Sequence, residues 1–189
     1  MENKVVIAVI GCGRIAQNAH FPAFSQMDNI RVKYACDLIE EKANAMKEKY
    51  AFVENVITDY KIALADNDVD CVYVLTPNYA HYTVTMDALR AGKHVFCEKP
   101  MGMTLRESHD MAEQAEKSGK MLTIGYQNRY RRDTMALKKL ALAGELGEIY
   151  MAKAHALRRR GIPNWGVFTN KEEQGGGPLI DIGTHSLDI

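Results

Sequence analysis

Four groups of residues in this 189-residue chain have types and spacings that suit chemistry. The first is Gly11-Cys12-Gly13-Arg14-Ile15-Ala16, a GxGxxA turn directly after the apolar run Val5–Ile10. Gly11 permits a tight turn, Gly13 lets the backbone approach a pyrophosphate, and small Ala16 lets a helix pack on the strand. Amides at the start of that helix, around Arg14 and Ile15, face the phosphates with the positive end of the helix dipole behind them. Arg14 either leans over the adenine, pairs with phosphate, or stands exposed without a role. Asp37, 21 residues past Ala16, ends the run Val32–Cys36. There a carboxylate accepts hydrogen bonds from the adenosine ribose and repels a 2′-phosphate, which favours NAD without excluding NADP. The other reading of Asp37 is a cap for the following helix.

Two further groups follow apolar runs. Leu75-Thr76-Pro77-Asn78, with His81 beyond, follows one, and Glu98-Lys99-Pro100 follows the next. Ligands of open α/β sheets bind outside the carboxyl ends of the strands, so both segments belong to that edge. Lys99 reads either as a surface ion pair with little energetic weight or as a positioned proton donor. The fourth group is Gly175-Gly176-Gly177-Pro178-Leu179-Ile180-Asp181-Ile182-Gly183-Thr184-His185. With a helix opening at Pro178, Asp181 and His185 share a face, as a helix-surface ion pair or as a carboxylate that orients a general base. A zinc site lacks further ligands at recognisable spacing, so no metal is expected.

The elements that must position these groups alternate. Val5–Ile10, Val32–Cys36, Val69–Leu75, His94–Cys97 and Leu122–Tyr126 are short runs too apolar to alternate, as strands buried on both faces are. Between them lie helical stripes. Ala43, Met46 and Tyr50 form one, and Tyr79, Tyr82, Met86 and Leu89 another, closed by Gly92. Thr104 and Glu107 make a capping box for a third helix, which Gly119 ends. Strand–helix alternation of this kind predicts a doubly wound α/β fold with a parallel sheet, a Rossmann domain over residues 1–125. From 126 to 189 the composition changes: a helix from about Asp133 to Ala143, a new strand at Glu148–Leu157, glycine-rich loops, and the helix at Pro178. This reads as the start of an α+β second domain.

Twenty-four basic and 24 acidic residues balance to zero formal charge, which argues against a molecule-wide surface for nucleic acid or anionic membrane. The longest apolar run falls far short of the ~18 residues of a membrane span. With no secretory signal expected, and with Cys12, Cys36, Cys71 and Cys97 spaced as buried thiols, the sequence reads as cytoplasmic.

The segments GCGRIA, ACD, TPNYAH, AGKHVFCEKP, GYQNRY and GGGPLIDIGTHSLD, in this order, resemble the Gfo/Idh/MocA family of nicotinamide-dependent oxidoreductases. The resemblance implies that Lys99 hydrogen-bonds the reacting hydroxyl, that His185 accepts its proton, and that Asp181 binds a substrate hydroxyl and orients or shares the proton. It implies that Thr76, Asn78, His81, Glu98 and Gln127 line the cofactor, with Pro77 in the same turn. It also implies hydride transfer between a sugar, cyclitol or polyol and NAD or NADP, and a homo-oligomer, dimer or tetramer, in the full-length form. Family members carry a complete second domain, so the chain is expected to be the N-terminal part of a longer enzyme. The competing functions are a glycoside hydrolase that uses bound NAD transiently, against which Glu98-Lys99-Pro100 argues, and a dinucleotide-binding protein without turnover.

Overall fold

A computed structural model describes residues 4–155, 157, 159–161, 163, 164 and 166–189. Six strands, β1 (Val5–Ile10), β2 (Ile30–Cys36), β3 (Val53–Ile57), β4 (Cys71–Val74), β5 (His94–Cys97) and β6 (Leu122–Ile124), form one sheet ordered β3-β2-β1-β4-β5-β6. Every neighbouring pair is parallel. The strand order reverses between β1 and β4, which makes the crevice at their carboxyl ends the topological switch point.

The central strand β1 is apolar throughout because both sheet faces are covered there. Ile7 and Val9 join Phe21, Phe24, Ala43 and Met46 in one core, while Ala8 and Ile10 join Val72, Val84, Leu89 and Met111 in the other. Each buried side chain of valine size or larger contributes about 1.5–3 kcal/mol. The first helical segment is a π-helical turn, Ala16–His20, that runs into α1, Phe21–Phe24. There follow α2 (Glu40–Lys49), α3 (Tyr60–Ala65), α4 (Asn78–Arg90) and α5 (Leu105–Ser118). At α5 the Thr104 hydroxyl accepts from the Glu107 amide, the Glu107 carboxylate reaches back, and Gly119 closes the helix in the left-handed conformation, as its sequence predicts.

Three expectations are corrected. β3 and α3 are elements beyond those the apolar runs and helical stripes predict. The buried stripe of α4 is His81, Val84, Thr85, Met86, Ala88 and Leu89, and Tyr79 stands exposed. The strand expected at Glu148–Leu157 does not form in its described residues: Ile149, Tyr150, Met151 and Leu157 are exposed in an irregular segment. A strand exists only through ladder bonds to a neighbour, and no described residue supplies them.

Beyond the sheet come a 3₁₀ turn (Gln127–Tyr130), α6 (Arg132–Leu142), α7 (Lys171–Gln174), a π-helical turn (Leu179–Gly183) and α8 (Thr184–Asp188). Among the described residues, no helix is long and apolar enough to cross a membrane.

Candidate active site

At the carboxyl edge the β-ladder continues past the strand ends. The amides of Gly11, Leu75, Glu98 and Gly125 donate to Cys36, Ile10, Val74 and Cys97 carbonyls at 2.8 to 3.0 Å. Parallel pairing thereby sets the four loops side by side. Gly11 has φ +98°, and a Cβ there would stand 2.6 Å from the Leu75 carbonyl oxygen, so only glycine fits between the loops. Gly13 is the converse: a Cβ there meets nothing within 4 Å. The backbone at Gly13 thus borders open space on its Cβ side, which leaves room for a ligand to approach it closely.

Asp37 closes the turn from the β2 side. Its Oδ2 accepts from the Cys12 amide and its Oδ1 from the Ile39 amide, both at 2.9 Å. Each oxygen keeps a second lone pair, so the carboxylate braces the turn and still has acceptor capacity for ribose hydroxyls. Arg14 and Ile15 are exposed at the start of the first helical segment. Burial drives the Cys12 thiol up to about 12, which leaves it a packed, inert group.

Across the crevice, the Thr76 hydroxyl is buried without a hydrogen-bond partner among the described residues. A buried orphan hydroxyl in this turn fits a polar ligand atom. Pro77 precedes α4 as its N-cap residue. Asn78 Nδ2 donates to the Gln174 backbone and side-chain oxygens at 3.1 and 2.6 Å and so fastens α7 to the start of α4. His81 is 1% exposed, with ring nitrogens 2.6 Å from the Pro100 carbonyl oxygen and 2.9 Å from that of Thr76. Burial pushes its pKa down, against the pull of those carbonyls. Its ring therefore joins the Thr76 turn to Pro100 from inside the fold instead of presenting a surface to ligand. Gln127 stands exposed in its 3₁₀ turn.

Lys99, Asp181 and His185 come together. Lys99 Nζ donates to Asp181 Oδ1 at 2.9 Å and to the Asp181 carbonyl at 3.1 Å. Both side chains are about one-fifth exposed. Asp181 and His185 do not form the expected i,i+4 pair. The π-helical turn spends an extra residue per turn, and the Asp181 carboxylate faces Lys99 instead. His185 Nδ1 is buried without a partner among the described residues. Burial first, and the Lys99 charge second, hold the His185 pKa below the usual imidazole value, while the surrounding carboxylates oppose them. Near neutral pH it is an unprotonated base.

α8 is clamped by contacts the sequence reading did not find. Arg129 pairs with Asp188 through two nitrogens, Nε donating to Oδ2 at 2.7 Å, and its guanidinium lies 5.8 Å from the Tyr126 ring centroid. The Tyr126 ring meets His185 edge-on at 6.2 Å. His20, which no motif marks, also reaches this edge; its Nε2 lies 2.8 Å from Glu98 Oε1. A cavity of about 470 Å³ opens beside Asp181, lined by Phe168, Lys171, Gln174 and Ile182 among others. That volume suits a small organic ligand.

A parallel sheet of this order, with a glycine turn and an acid at its switch point, defines a dinucleotide-binding Rossmann protein. The chain belongs to the Gfo/Idh/MocA oxidoreductase family. Residues 5–126 match its NAD-binding Rossmann-fold domain, and residues 134–189 match a Gfo/Idh/MocA C-terminal domain. It is 44% identical over 182 residues to the D-glucoside 3-dehydrogenase of Escherichia coli, covering 96% of this chain and 52% of that protein. It is 30% identical over 158 residues to an inositol 2-dehydrogenase of Salmonella paratyphi B, covering 83% of this chain and 47% of that one. Among solved structures, an NAD-binding protein from Listeria innocua superposes with a TM-score of 0.84 at 30% identity, over 98% of this chain and 53% of that chain. The chain thus spans about half the length of the curated relatives it matches.

Proposed function

We propose that the protein moves a hydride between a nicotinamide dinucleotide and a secondary alcohol, or the matching ketone, of a sugar, cyclitol or related polyol. The observation that carries this reading is the Lys99–Asp181 pair at 2.9 Å, with His185 beside it, at the edge where the dinucleotide turn lies. The names of the relatives, a glucoside and an inositol dehydrogenase, support a ring hydroxyl as the reacting group.

The dinucleotide, when bound, supplies the hydride acceptor or donor. The Gly13 backbone and the Thr76 hydroxyl would hold its phosphates and polar atoms, and Asp37 its adenosine ribose. Lys99 Nζ carries three donors, two of them directed at Asp181, and the third is available to hold the reacting oxygen. As the carbon loses its hydride, the hydroxyl proton passes to a ring nitrogen of His185, whose lowered pKa keeps it ready to accept. In the reverse direction the imidazolium returns that proton. Asp181 fixes the lysine head and has lone pairs left for a neighbouring substrate hydroxyl.

The test is a screen of polyols and glycosides against the protein with NAD, followed by the near-ultraviolet absorbance of reduced nicotinamide. A net rise with a ring polyol is expected. Cleavage of a glycoside without net reduction would point to the hydrolase instead, and dinucleotide binding with no turnover on any substrate to a binding protein.

A further inference from the structure

We propose that His20 is a positioning residue for Lys99, acting through the Glu98 carboxylate and linking the dinucleotide turn to the proton-handling lysine. The proposal rests on the reading of Lys99 as a catalytic residue. His20 ends the π-helical turn that follows Gly11–Ala16, and its Nε2 is 2.8 Å from Glu98 Oε1, with both side chains only 13% exposed. A carboxylate oxygen only accepts, so the proton of this bond sits on His20 Nε2. The other Glu98 oxygen, Oε2, accepts from the Lys99 backbone amide at 3.1 Å. One side chain therefore spans from the first helical segment to the main chain of the lysine.

The surroundings leave Glu98 little other freedom. A Cβ on Gly125 would stand 3.0 Å from Glu98 Oε2, so the backbone just past β6 closes the far side. The His20 ring is itself held by Phe96 at 5.4 Å and by Phe24 and Tyr73 at 6.0 Å, centroid to centroid. An imidazole packed edge-on against Phe96 and Tyr73 keeps one orientation, and that orientation sets the Glu98 carboxylate. Without it, Glu98 can turn away from the Lys99 amide. Nζ is then aimed from a looser base, and a small misplacement of a proton-handling group costs much in rate.

Two variants and two readouts test this. His20→Leu keeps the apolar packing and removes the donor; His20→Gln places an amide nitrogen near the Nε2 position. In His20→Leu, hydrogen exchange of the Lys99 amide, followed by NMR, should quicken about tenfold, and kcat should fall about tenfold with dinucleotide Kd within about twofold of wild type. His20→Gln should recover most of both. The proposal is overturned if His20→Leu leaves the Lys99 amide protected. It is equally overturned if His20→Gln restores the melting temperature but neither exchange nor kcat, because the imidazole would then serve packing alone. The exchange arm needs no substrate, so a protein that turns over no polyol would refute the dehydrogenase reading while His20 is still decided.

Discussion

Lys99 and Asp181 stand 82 positions apart in the chain, yet Nζ and Oδ1 meet at 2.9 Å. Their bond joins the end of β5 to the π-helical turn after the glycine-rich segment, and both charges act on His185 beside them. The lysine's charge lowers the imidazole pKa and the aspartate's raises it.

These two signs make a paired prediction. Lys99→Met removes the depressing charge, so the His185 pKa should rise toward the ordinary imidazole value. Asp181→Asn removes a supporting negative charge, so it should fall further. NMR titration of the His185 ring measures both. A histidine must be unprotonated to accept the hydroxyl proton, so alcohol oxidation in wild type should be lost as pH falls through that pKa. Lys99→Met should also cut kcat by about 10²–10⁴-fold with dinucleotide still bound. Movement of the two titrations in the same direction would refute the arrangement.

The two glycines of the dinucleotide turn should fail differently. Gly11→Ala places a Cβ against the Leu75 carbonyl at positive φ, so it should cost about 1–3 kcal/mol of stability or more, seen as a lowered melting temperature. The Cβ of Gly13→Ala meets nothing within 4 Å among the described residues, so this variant should melt like wild type. Its methyl group fills the space a pyrophosphate would approach, so dinucleotide affinity should fall about tenfold, or about 1.4 kcal/mol. Fluorescence titration with NADH separates the two, and a Gly13→Ala protein that binds like wild type would move the phosphate site elsewhere.

What the sequence makes legible here follows from physical range. β1 and β5 have the bounds their apolar runs predict, because a strand buried on both faces leaves a continuous signal. β3 does not: it is an edge strand in which Val53 is buried but Glu54 and Asn55 face solvent, too short and polar to stand out. At α5, capping chemistry is local and both ends could be read. Glu148–Leu157 shows the opposite error, since apolar residues alone do not make a strand without a neighbour. In the site, the glycine turn and Asp37 could be found because their spacing is fixed by one βαβ unit. His20 with Glu98, and Arg129 with Asp188, lie 78 and 59 residues apart, and only the assembled sheet edge brings them within reach.

Asp37 offers a test in which bracing and recognition pull on one carboxylate. Its two oxygens hold the Cys12 and Ile39 amides, and under the proposed function the same carboxylate binds the adenosine ribose. In Asp37→Asn one oxygen becomes an NH₂ group that confronts a backbone N–H donor, so the turn loses one bond, about 1–2 kcal/mol. The charge that repels a 2′-phosphate is lost as well. NAD affinity should therefore fall through the weakened turn and the missing acceptor, while NADP loses less because its repulsion is relieved. The ratio of the two dissociation constants should shift about tenfold or more toward NADP. Parallel titrations of NADH and NADPH on wild type and variant measure this directly. Equal losses for both dinucleotides would mean that Asp37 braces the turn and has no part in choosing the cofactor.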